Sequence, residues 1–227
     1  SDDADDGEFL VAAAHAADGV LSGESATALG TAFHRLCQTS ILRAAREGLD
    51  RLPVPDACAV AAQVRACGLS AAQEARLSRA LGLWLESDLA AAFALHGELA
   101  AEVPFSVVVE AGEGASFVLE GEIDGLADDG RGNALLVDYK TGSSGAEADE
   151  LRERHRLQAQ CYAYALLMAG YRRVEAFFVR VEEEAPSSGP AGDGGKPQPV
   201  AVEYSYSLDD VCALRDDVAA AYRYPLT

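Results

Sequence analysis

The chain has 227 residues, 49% of them hydrophobic, which suits one domain with a sizeable core. Acidic residues (37) outnumber Lys and Arg (18), and the resulting formal charge of −19 argues against a protein that binds nucleic acid unaided. No apolar run reaches the roughly 18 residues that a membrane span needs, so we expect no membrane partner. The acidic N-terminus shows no signal peptide and no initiator Met, which predicts a fragment of a larger protein.

The five cysteines are scattered and odd in number, and no pair has C-x-x-C spacing. This usage is typical of reduced thiols, and it predicts a cytoplasmic protein in which a zinc site is not expected. Basic residues group only at Arg152–Arg156 and at Arg172 and Arg173. On charge patterning alone, a solvated helix face accounts for these groups as well as a phosphate contact does.

The first half of the chain predicts helices. We expect an acidic tail leading into a short helix over the first two dozen residues. Apolar residues at three-to-four spacing then predict a helix over 26–47, with Ser25 as a possible N-cap and Gly48 as its stop. Ala- and Leu-rich helical segments follow over 56–67 and 70–97.

The pattern changes at Pro104, where stretches rich in Val, Phe, Leu and Ile begin. Glycine-containing turns separate the first three stretches, which predicts antiparallel strands. The predicted elements of this half are strands at 103–110, 116–127 and 134–140, a helix at 147–169, strands at 174–181 and 200–206 around a flexible loop at 182–199, and a closing helix at 208–223 capped by Ser207.

This order predicts an α/β fold with a mixed central β-sheet flanked by helices. We expect residues 1–227 to form one domain. Its helical part would span 26–100, as a subdomain or insertion, and its sheet core would span 101–227.

Two acidic groups and a lysine fall on strands predicted to be neighbours. Asp124 ends the second strand, and Asp138 and Lys140 lie on the third. Alternate side chains of a strand point to the same face, so Asp138 and Lys140 project together and Tyr139 points away. If the two strands pair as a hairpin, Asp124 and Asp138 can share one Mg²⁺ ion, with Lys140 beside it to orient or deprotonate a water.

Four motifs in this order carry a resemblance to a known family. They are Gly30-x-x-x-His34, Gly121-x-Ile-Asp124, Asp138-Tyr139-Lys140-Thr141-Gly142 and Leu157-Gln158-x-x-x-Tyr162. Together they resemble the C-terminal nuclease domain of RecB and AddA, within the PD-(D/E)xK nuclease superfamily. The resemblance spans roughly residues 26–180 and implies a restriction-endonuclease-like core.

The resemblance implies a set of metal ligands: His34, Asp124, Asp138 and the Tyr139 carbonyl. A neutral imidazole can complete a carboxylate site, although an isolated histidine is more often a core or capping residue. Lys140 would be the catalytic lysine, and it could equally be an ion-pair partner of either aspartate. The implied ion is Mg²⁺, for which Mn²⁺ can substitute. An iron–sulfur cluster is not expected, because no cysteine precedes Cys37 and only Cys212 lies near the C-terminus.

Further residues are weaker candidates. Gln158 and Tyr162 lie one helical turn apart and would shape the site or contact the substrate, while a packing role suits Tyr162 equally well. Arg154 and Arg156 could hold phosphates, although a solvated surface explains each one singly. Two glutamates are also possible: Glu102 as a metal or supporting residue, and Glu122, for which an exposed strand position is the simpler interpretation.

We therefore expect a Mg²⁺-dependent deoxyribonuclease domain, the exonuclease part of a helicase–nuclease in double-strand-break repair. Its expected partners are DNA, the helicase domain of the parent chain and a partner subunit. The alternatives are a catalytically silent scaffold that keeps the fold and another metal-dependent phosphoesterase. The sequence alone predicts that Asp138→Ala abolishes cleavage of single-stranded DNA and leaves the fold intact.

Overall fold

A computed structural model describes residues 10–13, 27–112, 114–142, 148–185 and 196–223. In chain order its elements are β1 (Leu10–Ala13), α1 (Ala28–Glu47), α2 (Ala57–Ala66), α3 (Ala71–Leu85), α4 (Asp88–His96), β2 (Glu98–Gly112), β3 (Ala115–Asp128), β4 (Asn133–Lys140), α5 (Ala148–Met168), β5 (Arg173–Glu184), β6 (Pro199–Ser207), a 3₁₀ turn (Leu208–Asp210) and α6 (Val211–Arg223). None of the helices in these ranges is long and apolar enough to cross a membrane.

The strands form one mixed sheet with a gap in it. β2 pairs antiparallel with β3 over almost the whole length of both strands. On the other edge of β3, β1 pairs in parallel with residues 117–120 and β4 pairs antiparallel with residues 125–128. β1 and β4 therefore lie end to end, and the four residues between them, Gly121–Asp124, pair with neither strand on that edge.

The remaining strands complete the α/β architecture. β4 and β5 are parallel, and α5 is the connection between them, as parallel pairing requires. β6 then pairs antiparallel with β5 at the far edge. The predicted fold class, a mixed sheet flanked by helices, is confirmed.

Each face of the sheet has its own apolar core. On β4, Leu135, Val137 and Tyr139 pack with α1, α3 and α4, whereas Leu136 packs with α5 and α6 on the opposite face. The alternation along this strand places Asp138 on the same side as Leu136. The predicted opposition of Asp138 and Lys140 to Tyr139 is therefore present.

The helix predicted over 70–97 is in fact two helices, α3 and α4. The buried Ser87 interrupts it, because the Ser87 side chain accepts a hydrogen bond from the Ala90 backbone N–H at 3.0 Å and starts a new helix. At the first helix, Thr27 rather than Ser25 is the N-cap, and Gly48 ends the helix at φ 63°, as predicted. Ser25 lies outside the described residues.

Three other boundaries differ from the prediction. β2 begins at Glu98 rather than at 103, because pairing with β3 overrides the weak strand preference of its Ala and Glu residues. The closing helix starts as a 3₁₀ turn, in which Asp210 accepts from the Ser207 backbone N–H at 2.7 Å. The N-terminal prediction contained no strand at Leu10–Ala13, and its short helix lies outside the described residues.

Candidate functional site

A cleft of about 710 Å³ opens at the gap in the sheet. The β3–β4 ladder ends at the Gly125–Val137 pair. Beyond it the strands separate, and Asp124 Oδ2 accepts the Tyr139 backbone N–H at 2.7 Å. The cleft is lined by Thr27, Gly30, Thr31, His34, Arg35, Gln38, Glu102, Glu122, Asp124, Asp138, Tyr139, Lys140, Thr141, Gly142, Gln158 and Tyr162.

Helix α1 brings His34 to one side of the cleft. His34 Nδ1 lies 3.1 Å from Asp124 Oδ1, and Nε2 lies 3.2 Å from the Tyr139 carbonyl oxygen. Two buried aromatic residues fix this carbonyl: the Tyr139 ring packs edge-on against Phe33 and Trp84, with ring centroids 5.4 and 5.2 Å away. Three of the four predicted ligand groups therefore converge here.

Glu102 joins this group from β2. It faces Asp124 in the antiparallel register, and one ligand atom from each of His34, Glu102 and Asp124 lies within 4.8 Å of the other two. Its backbone is left-handed, with φ 50°, a conformation that costs a non-glycine residue about 1–2 kcal/mol. Sequence reasoning gave Glu102 only a weak role, because this position depends on strand register rather than on a motif.

Burial and crowding of charge make this cluster electrostatically unfavourable without a cation. Burial, a hydrogen bond with Glu122 and the nearby Asp124 carboxylate raise the pKa of Glu102 to about 7. Burial alone would lower the pKa of His34, but the charge of Asp124 and its hydrogen bond outweigh that effect and raise the pKa to about 9. Both groups therefore hold protons in place of a counter-ion at neutral pH.

The donor set of this cluster fits a hard divalent cation. It combines carboxylate oxygens from Asp124 and Glu102, the Tyr139 carbonyl and one imidazole. Mg²⁺ and Mn²⁺ prefer oxygen donors and accept an imidazole. An ion would replace the protons that Glu102 and His34 now carry, which would relieve the repulsion between carboxylates.

Asp138 and Lys140 form a second group, deeper in the cleft and on the side of α5. They are 3% and 6% exposed, and Lys140 Nζ lies 3.0 Å from Asp138 Oδ1. Lys140 also donates to Gln158 Oε1 at 3.0 Å. Tyr162 OH and Gln158 Nε2 donate to Asp138 Oδ2 at 3.0 and 3.1 Å, respectively. Asp138 shares the cleft with the His34 cluster, but its carboxylate is committed to these partners.

Tyr162 is held as a hydrogen-bond donor. Burial raises the pKa of its hydroxyl well above the usual range, and the Asp138 charge raises it further. The hydroxyl also accepts from Gln158 Nε2 at 2.8 Å, so the two α5 side chains act on Asp138 together. This geometry accounts for the four-residue spacing of Gln158 and Tyr162, which puts both on one helix face.

The two predicted phosphate contacts lie outside the cleft. Arg154 shares a helix face with Gln158, but its guanidinium pairs with Glu150 at 3.1 Å and does not line the cleft. Arg156 is exposed and pairs with Glu153 at 2.9 Å. The structure therefore does not bring either arginine to the site in this conformation.

Gly30 permits the close approach of α1 to the end of β4, as the sequence suggested. A Cβ atom at Gly30 would stand 2.9 Å from Thr141 Oγ1, nearer than side chains normally approach. Sequence reasoning did not single out Thr31, Arg35 and Gln38, which also line the cleft. Their three-to-four spacing around His34 on α1 is the signal that could have identified them.

Comparison with known proteins agrees with this geometry. A search of curated protein sequences found no significant match. Among solved structures, one described as the crystal structure of SSO0001 is 15% identical, with 84% of this chain and 73% of that chain covered. Its TM-score of 0.35 is too low to carry an argument about function. A family model for the PD-(D/E)XK nuclease superfamily matches residues 10–223. The chain therefore belongs to the PD-(D/E)XK nuclease superfamily.

Proposed function

We propose that this chain is a Mg²⁺-dependent deoxyribonuclease domain that hydrolyses DNA phosphodiesters. One observation carries the proposal: a cation-binding cluster of His34, Asp124 and Glu102 shares a cleft with the Asp138–Lys140 pair. Membership of the superfamily makes a nucleic-acid phosphodiester the expected substrate. Mn²⁺ would substitute for Mg²⁺, since both ions accept the same donors.

The residues divide into two roles. His34, Asp124, Glu102 and the Tyr139 carbonyl would hold the ion, which when bound lowers the pKa of a water and offsets charge on the phosphate. The Lys140 ammonium would orient the attacking water and stabilise charge on the phosphate oxygens. Asp138 fixes Lys140 and remains a candidate ligand, provided that its carboxylate rotates away from its present partners.

The finer assignment follows the motifs. The His34, Asp124 and Asp138-Tyr139-Lys140 motifs and the Gln158–Tyr162 pair support a RecB/AddA-type nuclease, the exonuclease part of a helicase–nuclease in double-strand-break repair and recombination. We propose residues 1–227 as one nuclease domain, whose partners are DNA, a helicase domain of the parent chain and a partner subunit. The charge of −19 supports this arrangement, because a helicase would deliver the DNA that the domain alone holds weakly. All five cysteines are free, which supports the cytoplasm as its compartment.

A silent scaffold that binds DNA or a partner subunit is the second candidate. The acidic charge favours it, since a repulsive field suits protein docking better than catalysis on DNA. The left-handed backbone of Glu102 disfavours it, because backbone strain of this kind concentrates at functional sites.

Metal titration combined with a cleavage assay tests the proposal. Asp124→Asn keeps an acceptor for the Tyr139 N–H but removes the charge from the cluster. We expect it to weaken Mn²⁺ binding by calorimetry, and cleavage of single-stranded DNA, by about 100-fold or more. Glu120→Gln is the matched control, because Glu120 is an exposed residue of the same strand and does not line the cleft.

The outcomes separate the two candidates. Metal binding and cleavage that fall together in Asp124→Asn, and persist in Glu120→Gln, would support the nuclease. A wild-type domain that binds neither Mg²⁺ nor Mn²⁺ and leaves DNA intact, even when supplied with the helicase, would favour the scaffold.

A further inference from the structure

Two side chains of β5 hold the peptide of Gly142, just beyond the Asp138-Tyr139-Lys140 motif. The Gly142 N–H donates to Glu182 Oε2 at 2.6 Å, and Arg180 Nη2 donates to the Gly142 carbonyl at 2.8 Å. Gly142 has φ 90°, which favours glycine, and it lines the cleft. Its N–H and its C=O are therefore fixed by groups outside its own strand.

Arg180 is an unusual residue for the interior. It is 1% exposed, and it faces Lys140 in the parallel β4–β5 register. Its Nε lies 3.2 Å from Glu183 Oε2. Burial of a guanidinium costs several kcal/mol, and apolar residues in place of buried ion pairs are often as stable or more stable. Stability alone therefore does not account for an arginine at this position.

Glu182 is itself held from the opposite side. Arg76 of α3 donates to both Glu182 oxygens, from Nε and Nη2, each at 2.9 Å. The contacts form a continuous chain from the helical layer through Glu182 to Gly142. Bidentate pairs of this kind fix orientation as well as distance.

The clamped segment stands against the helix that carries His34. Thr141 precedes Gly142, and its Oγ1 would lie 2.9 Å from a Cβ at Gly30. A shift of Gly142 would therefore move the end of β4 relative to α1. The distance between Lys140, on β4, and His34, on α1, depends on this contact.

We propose that Arg180 and Glu182 are positioning residues that clamp Gly142 and so fix Lys140 relative to the cation-binding cluster. The inference rests on the proposed nuclease function and deepens it. Neither residue lines the cleft, so both act through the Thr141–Gly142 segment rather than on the substrate. Misplacement of catalytic groups by about 1 Å can cost about 100-fold in rate, which is why such a clamp would be kept.

Arg180→Met combined with Glu183→Gln tests the clamp without leaving an unpaired carboxylate. We expect kcat for single-stranded DNA to fall at least about tenfold, with KM and Mn²⁺ affinity little changed, since the ligands stay in place. Stability should be retained, and Arg180→Lys should recover part of the rate, because one donor to the Gly142 carbonyl remains. A purely structural role predicts the opposite: a lower melting temperature with kcat unchanged in the folded fraction.

Amide hydrogen exchange supplies a readout that needs no activity. The Met/Gln double variant should exchange faster at Thr141–Gly142 and normally at Val103–Val109 of β2. If that variant does not fold, Glu182→Gln provides the same test, since a neutral acceptor holds the Gly142 N–H less strongly. Arg173→Ala is the matched control, because Arg173 forms a surface ion pair with Glu175 at the other end of β5.

Each result decides something specific. Unchanged exchange at Thr141–Gly142 in the double variant, or in Glu182→Gln, would overturn the clamp. Faster exchange with unchanged kcat would overturn its role in positioning Lys140. If the wild-type domain cleaves no DNA with either metal, the proposed function fails, and unaltered exchange would separately refute the clamp.

Discussion

The two halves of the cleft solve the problem of buried charge in opposite ways. On the α5 side, the Asp138 carboxylate and the Lys140 ammonium satisfy each other with the help of Gln158 and Tyr162. On the α1 side, His34, Glu102 and Asp124 crowd together, and protons must offset their charge. The first half is complete as it stands, whereas the second is stable only with bound protons or a cation. This difference marks one half as a rigid support and the other as the place where an ion binds.

The largest expected effect comes from breaking the satisfied half. Asp138→Ala would abolish cleavage, but it would also leave the Lys140 ammonium buried without its counter-charge. Loss of one member of a buried pair costs about 3–5 kcal/mol, so we expect a marked fall in the free energy of unfolding by urea titration. This differs from the expectation of an intact fold, because the sequence does not show how deeply the pair is buried.

Asp138→Asn with Lys140→Met is the control for that stability loss. Both charges are then absent, and the double variant should recover much of the stability while staying inactive. A single Asp138→Ala variant as stable as the wild type would show that the pair is more exposed than its 3% and 6% accessibility indicates.

A smaller effect is expected from Glu102→Gln in the crowded half. Removal of one carboxylate should weaken Mn²⁺ binding by about 10–100-fold, measured by calorimetry. Without metal the same change should leave stability equal or slightly higher at pH 8, because one source of repulsion is gone. Unaltered Mn²⁺ affinity would remove Glu102 from the ligand set.

The smallest effect is a dependence of metal-free stability on pH. The pKa of His34 is raised from 6.5 to about 9 and that of Glu102 from 4.5 to about 7, so each stabilises the fold when protonated. Their contributions are fully present below pH 6.5 and pH 4.5, respectively, and are lost as pH rises through about 9 and about 7. His34 is partly exposed, so between pH 6 and pH 8.5 we expect a total fall of only about 1 kcal/mol.

Urea titrations in EDTA and in Mg²⁺ would check this profile. Mg²⁺ should flatten it, since the ion replaces the protons. Glu102→Gln should remove the part centred near pH 7 and keep the part that belongs to His34. A flat profile in EDTA would mean that the two halves of the cleft do not differ in the way proposed.

Much of the fold could be read from local pattern. Apolar spacing predicted α1 and α5, and alternating apolar residues predicted β3 and β4, with boundaries within about two residues. Ser87 shows where local pattern failed, because a buried serine reads as an ordinary helix position until its side chain caps Ala90. The strand at Leu10–Ala13 was missed because its identity rests on pairing with residues of β3 more than 100 positions away.

The sequence by itself determined which groups could do the chemistry, since residue type and spacing set His34, Asp124, Asp138 and Lys140 on predictable faces of their helix and strands. Tertiary structure alone decided how they divide: Asp138 is buried against α5, and Glu102 is drawn to Asp124 by strand register. It also decided that Arg180 and Glu182 hold Gly142. The physical reason is that charge pairing and burial depend on distance in space, which spacing along the chain fixes only within a single helix or strand.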